Sequence, residues 1–429
     1  MRSFEVPGFY RSPLISAIKQ KRKAADKLKK DFQPTLLDLG SLQILLARHF
    51  GFCYGVENAI EIAFRTLDEN PDKRIFLLSE MIHNPQVNAD LTSRGIRFLQ
   101  DTKGNQLIPF ESLNAEDIVL IPAFGTTLEI ESILKKIGIR LESYNTTCPF
   151  VEKVWNRSES IAQKAYTIVI HGKPTHEETR ATFSHAAAQG PAVVVKDMQQ
   201  AARLARYICL EAGQEEFETE FSGQYSSGFR IDQHFRRIGV VNQTTMLAAE
   251  TQAIADFLKE QVRSIYPEPD AVADTRDTLC YATSDNQSAV MGMLDTEADM
   301  AIVVGGYNSS NTSHLFELCA EKLPTFYVDG PDCIENATTI HHYDFHAGQD
   351  TTTHDFLPKK DIIRVLVTSG ASCPDATVER ILEKLAGFYE RSLPYSDWQY
   401  NPITCTAGRN IRGPSDCFRI DNVHRAYHF

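Results

Sequence analysis

Short apolar runs alternate along this chain with longer stretches whose apolar residues recur at helical spacing. Residues 74–79, 117–122, 166–171, 238–241, 300–304 and 362–368 read as strands, apolar nearly throughout and therefore covered on both faces. Helical spacing follows several of them, over 128–137, 313–323 and 376–385. Strand and helix in turn predict βαβ units, parallel sheets and an α/β fold. In such sheets ligands sit at the carboxyl ends of the strands, in the turns that open the next helix. Those turns collect the polar residues here: Ile-His-Asn-Pro at 82–85, Ala-Phe-Gly-Thr at 123–126, Gly-Lys-Pro-Thr-His-Glu-Glu at 172–178, Gly-Gly-Tyr-Asn-Ser-Ser-Asn-Thr at 305–312 and Ser-Gly-Ala-Ser-Cys-Pro at 369–374.

Three stretches depart from the alternation. Residues 1–40 form an extension with a lysine-rich run at 19–30, expected to be a solvated helix face rather than a partner-binding patch. Residues 209–238, glutamate-rich and then rich in glycine and serine, read as a surface insertion. The tail, 389–429, is aromatic and irregular. The regular part divides into thirds, 41–147, 148–278 and 279–388.

At 429 residues, with 42% hydrophobic and 23% charged residues, this is the composition of a soluble globular protein of several domains. The net charge of −12 argues against nucleic acid as the main partner. No apolar run approaches the roughly 20 residues that span a bilayer. Nine scattered cysteines without a secretory signal predict a reduced, cytoplasmic setting rather than a disulfide framework.

Cysteine carries the most distinctive chemistry. Cys148 stands directly before Pro149 and a helical segment, so it is a candidate helix N-cap, where the N–H groups and the dipole favour thiolate. Cys53 and Cys280 also precede helical runs, each about a small domain away. Cys209, Cys319, Cys333, Cys405 and Cys417 show no partner pattern and read as small hydrophobes or free thiols, with Cys373 undecided beside Ser372. Three separated thiolates suit zinc with a further ligand, copper(I), or an iron–sulfur cubane that leaves one iron open. Ser309, Ser310 and Asn311 follow a buried strand and glycines, which suits either a phosphate or simple helix capping. Ser372 lies in a comparable turn. His83 and His176 occupy equivalent turns, suited to phosphate binding or proton shuttling. Glu178 is a candidate proton donor, and Thr244 and Thr245 end another strand.

Together these turns resemble the 4-hydroxy-3-methylbut-2-enyl diphosphate reductase family. The resemblance runs from about 42 to 388 on Gly-Phe-Cys-Tyr-Gly-Val at 51–56, Ile-His-Asn at 82–84, Thr-Thr-Cys-Pro at 146–149, His-Glu-Glu at 176–178, Asn-Gln-Thr-Thr at 242–245, Leu-Cys-Tyr-Ala-Thr at 279–283, Asn-Ser-Ser-Asn at 308–311 and Gly-Ala-Ser at 370–372. It implies a trefoil of three small α/β domains around a central [4Fe-4S] cluster held by Cys53, Cys148 and Cys280, with one iron not ligated by protein. It implies substrate contacts from His83, His176, Thr244, Ser309, Ser310, Asn311 and Ser372, a catalytic set of Glu178, Thr244 and His176, and reductive dehydroxylation to isopentenyl and dimethylallyl diphosphate. Electrons would come from a separate protein such as a ferredoxin or flavodoxin, since no Gly-x-Gly-x-x-Gly turn opens a helix.

Two positions depart from the family pattern. Phe124 stands where many members have His, although the plastid and cyanobacterial branch looks like this chain here, and Asn286 stands where an Arg is common. A non-enzymatic iron–sulfur or diphosphate sensor, or a zinc protein with three thiolates, are the competing readings.

Overall fold

The structure, a computed structural model, describes residues 4–273 and 278–389 and the backbone of the strands Gln399–Pro402 and Phe418–Arg419. Cys405, Cys417 and most of the tail lie outside the described residues. The chain forms two compact units: one of residues 1–53, 83–85 and 284–429, the other of residues 54–82 and 86–283.

The first unit is built on a seven-stranded sheet in the order Thr325–Val328, Met300–Val304, Ile363–Ser369, Leu42–Leu46, Thr35–Asp38, Gln399–Pro402, Phe418–Arg419. The first four strands are parallel and the last three antiparallel. Every residue of Met300–Val304 is buried, which explains its unbroken apolar run. A separate hairpin, Thr339–Asp344 with Gln349–His354, completes the unit's strands.

The basic extension is not merely a solvated face. Ser12 caps the helix Pro13–Ala25, accepting from the Ile15 N–H at 2.9 Å, with Pro13 at the first helical position. Leu14, Ile15 and Ile18 are buried, and Arg22, 4% exposed, donates to Asp31 at 3.0 Å and to the Gln33 carbonyl at 2.9 Å. An apolar stripe at helical spacing ends in an arginine whose charge is met inside the fold, while Lys21 and Lys23 are exposed.

The second unit holds two three-stranded parallel sheets. One runs Arg97–Phe98, Ile75–Leu77, Ile118–Leu120; the other runs Ala192–Val195, Thr167–His171, Ile238–Asn242. Residues 209–238 are not a surface loop either. They form the helices Gln214–Glu220 and Ile231–His234 and bury Phe217, Phe221, Phe229 and Phe235 around Tyr207. Phe217 and the helix's C-cap residue Phe221, four apart, present rings 5.3 Å apart to the interior, while Glu215, Glu216 and Glu218 are exposed and Glu220 accepts from the Tyr207 hydroxyl at 2.5 Å. The α/β class and the parallel sheets are as expected; the antiparallel strands are additions the sequence did not show.

Candidate functional site

Each unit carries a cluster of the singled-out residues at strand ends. In the first unit, Ser309 caps the helix Ser310–Ala320 and accepts from the Thr312 N–H at 3.3 Å and from the Thr312 hydroxyl at 2.9 Å. Its oxygen is occupied by the helix. Ser310 and Asn311, each 3% exposed, are different: the Ser310 hydroxyl and the Asn311 amide nitrogen are buried with no protein partner. The Asn311 oxygen accepts from the Ala371 N–H at 2.9 Å and from the Asn286 amide at 3.4 Å, so the donor end of Asn311 is the end left over. Buried donors without partners at a helix N-terminus are the signature of a site for an anion.

His83 and Ser372 are buried in the same unit, and the Ser372 hydroxyl donates to the His83 carbonyl at 3.0 Å. The peptide of Ala371 ties the cluster to Cys53, whose N–H donates to the Ala371 carbonyl at 3.2 Å. Asn286 therefore stands as an uncharged neighbour of Asn311.

In the second unit, Cys148 is the N-cap of the helix Pro149–Ala162, as its sequence position predicts. Its thiol is nevertheless not a free thiolate. Burial pushes its pKa up to about 12, Cys280 and Glu178 add to this, and the N–H groups of Phe150 and Val151 oppose it without prevailing. Only a strong local positive charge, such as a metal ion's, would make it a thiolate here. Cys280 stands before the helix Tyr281–Leu294, and its N–H donates to the Thr244 carbonyl at 3.3 Å. Phe150 and Tyr281, just after the two cysteines, hold rings 4.9 Å apart.

Glu178, 1% exposed, accepts from the Thr244 N–H at 2.5 Å and from the Thr244 hydroxyl at 2.9 Å. His176 caps the helix Glu177–Ala187, its Nδ1 accepting from the Glu178 N–H at 3.1 Å, which leaves the ring proton on Nε2. Phe124 supplies no hydrogen bond but packs edge-on against His176, centroids 5.7 Å apart.

Sequence reasoning missed the supports of this cluster. Gln243 is fully buried and accepts from the Thr179 hydroxyl at 3.0 Å and the Lys173 N–H at 3.1 Å. It donates to the Thr245 hydroxyl at 2.7 Å. Glu177 accepts from Ser79, and Thr278 donates to Asn242. The turn at 242–245 was visible in sequence, but nothing there tells which polar groups are used internally. Of the remaining cysteines, Cys319 and Cys373 are buried and Cys209 and Cys333 half-buried.

In the second unit the Cys148 sulfur packs against bare backbone. Gly55 lies directly against Cys148, and a Cβ on it would come within 2.5 Å of the sulfur. Cys53 is two residues before Gly55 in the chain. Among the described residues no three His, Cys, Asp or Glu side chains converge as they would on a single ion. A cluster, in which each thiolate holds a different iron, does not require that convergence.

Fold and site together define an α/β protein with thiols and buried polar groups at its strand ends. The family model for LytB protein matches residues 44–386, and the chain belongs to that family. The reductase "4-hydroxy-3-methylbut-2-enyl diphosphate reductase" of a Synechococcus strain is 38% identical over 353 residues, covering 81% of this chain and 86% of that one. The protein of the same name from Prochlorococcus marinus strain MIT 9211 is 37% identical over 383 residues, covering 86% and 92%. The solved structure of the E-1-hydroxy-2-methyl-but-2-enyl-4-diphosphate reductase from Plasmodium falciparum shares the fold, with a TM-score of 0.58 at 20% identity over 79% of this chain and 86% of that one.

Proposed function

We propose that this chain is an iron–sulfur oxidoreductase that converts (E)-4-hydroxy-3-methylbut-2-enyl diphosphate to isopentenyl and dimethylallyl diphosphate. The observation that carries the reading is the buried Glu178–Thr244 pair in the same unit as Cys148 and Cys280. A sensor that only bound a cluster or a diphosphate would gain nothing from a carboxylate held against a hydroxyl.

The reaction takes two electrons and two protons. The allylic C–O bond breaks, one proton leaves with the hydroxyl as water, and the other ends on carbon. In this reading Ser310 and Asn311 turn their unpartnered donors to the diphosphate, with Ser309, Ser372 and His83 shaping that turn. His176, with its proton on Nε2, is a further diphosphate donor, and Phe124 fixes its ring. In its protonated form Glu178 would donate to the Thr244 hydroxyl it touches, and that hydroxyl would pass its own proton to the departing oxygen. Burial excludes bulk water from the pair, so the proton goes where the hydroxyl directs it.

Cys53, Cys148 and Cys280, one from each of the thirds 41–147, 148–278 and 279–388, would hold a [4Fe-4S] cluster. When bound, it would supply electrons one at a time and an iron without a protein ligand. The electrons come from a separate one-electron carrier of the ferredoxin or flavodoxin class, in a reducing, cytoplasmic setting. No helix among the described residues is long and apolar enough to cross a membrane.

Anaerobic purification of the wild type and Cys148→Ala, with optical spectra and iron and sulfide analysis, tests the reading. A brown wild type with matched iron and sulfide, both lost in the variant, is the expected result. A colourless wild type that takes up no cluster on reconstitution would end it.

A further inference from the structure

The loop that carries Cys53 is gripped from two sides within the first unit. On one side the Gly51 N–H donates to the Ser369 hydroxyl at 3.1 Å and the Cys53 N–H to the Ala371 carbonyl at 3.2 Å, both at the end of the strand Ile363–Ser369 or just beyond it. On the other side stands the helix Pro13–Ala25, which lies ahead of the segment matched by the family model. Lys19, at the centre of this helix, reaches Asp375 at 2.7 and 3.0 Å. Its ammonium also sits 4.5 Å from the centre of the Phe50 ring.

Gly51 explains why the pair can lie so close. Its φ is +78°, and a Cβ there would come within 2.2 Å of the Asp375 carboxylate and 2.9 Å of the Lys19 nitrogen. The ion pair therefore rests flat on the bare backbone two residues before Cys53. Tyr10, just ahead of the same helix, sets its ring edge-on to Phe52 at 5.8 Å. Phe50, Gly51 and Phe52, the three residues leading into Cys53, thus each meet the extension or its ion pair.

We infer that Lys19 is a positioning residue for the Cys53 loop, acting through Asp375 and Phe50. The extension helix is in effect the outer jaw of a clamp on this cluster ligand. The inference rests on the cluster reading above for its consequence, but not for the clamp itself. An ion pair one-third exposed contributes little to global stability. Its effect is local, on how freely the loop opens.

The test is native-state amide hydrogen exchange on the full-length protein, before and after cluster reconstitution, for wild type, Lys19→Met and Lys19→Arg. Lys19→Met keeps the chain length and removes the charge. Its Gly51 and Cys53 amides should exchange about tenfold faster, with Val169 and Val303 unchanged and with faster loss of iron to a chelator. Lys19→Arg should restore most of the protection. Unchanged exchange at Gly51 and Cys53 in Lys19→Met would overturn the clamp, and so would equal acceleration at all four amides. A wild type that takes up no cluster would instead overturn the reductase reading, leaving the exchange result to judge the clamp by itself.

Discussion

Thr244 binds Glu178 twice, its N–H to one carboxylate oxygen at 2.5 Å and its hydroxyl to the other at 2.9 Å. Each oxygen of a nearly inaccessible side chain thereby accepts from Thr244, and the hydroxyl is the only one of the two donors that can relay a proton. Glu178→Gln keeps the shape and removes the proton. Single turnovers of chemically reduced protein should slow by roughly 10² to 10⁴, the usual worth of a positioned acid, while the cluster spectrum stays as in wild type. Turnover within a fewfold of wild type would remove Glu178 from the proton path.

Ser310 and Asn311 are expected to show an asymmetry between stability and binding. Their free donors contribute nothing to the ligand-free fold, so Ser310→Ala should leave the melting temperature unchanged or slightly higher. The same variant should weaken inorganic diphosphate binding about tenfold, as one lost hydrogen bond to a charged group would. A destabilised Ser310→Ala with unchanged diphosphate affinity would assign the hydroxyl to the fold.

His49 gives the first unit a predictable acid sensitivity. Burial lowers its pKa from 6.5 to about 4, with Arg48 adding to the effect, Asp285 opposing, and Lys29 and Lys19 adding lesser amounts. The folded state therefore refuses a proton that the unfolded chain accepts below 6.5. The contribution is fully present above pH 6.5 and is lost as the pH falls toward 4. Thermal melts across this window should show a shallower decline for His49→Gln than for wild type. Parallel curves would mean that His49 titrates normally.

Phe217 tests the standing of residues 209–238. It is fully buried among four other aromatic rings, Tyr207, Phe221, Tyr225 and Phe229, each within 5.3 Å. Phe217→Ala should cost about 3–5 kcal/mol in denaturant unfolding. A loss below about 1 kcal/mol would return the segment to the status of a surface insertion.

The legible parts of the fold were those with burial on both faces. Met300–Val304 announces itself because none of its residues meets water, and the helix Leu128–Ile137 because a threonine cap opens it and a left-handed glycine closes it. Thr35–Asp38 was hidden as a four-residue strand at the end of a basic extension, and the hairpin at 339–354 because its strands are largely polar and Gln349–His354 is mostly exposed. Phe217 and Phe221 were masked by the glutamates between and around them. Within the site, the turns showed which residues gather at strand ends. They could not show that Ser309 is consumed as a cap while Ser310 is left unbonded, since that depends on one side chain's rotation. The reach of Lys19 to Asp375 spans most of the sequence, and no local pattern encodes it.

The order of the strands has a consequence for synthesis. Leu42–Leu46 takes its parallel neighbour, Ile363–Ser369, from roughly three hundred residues later, which a ribosome adding about 5–20 residues per second delivers only after some tens of seconds. Meanwhile the second unit, nearly continuous in sequence, emerges with all the strands of both its sheets. The nascent chain therefore carries an apolar strand with an open edge through most of its translation. A chaperone that shields residues 42–46 until the last third appears would be expected to raise the yield of folded protein.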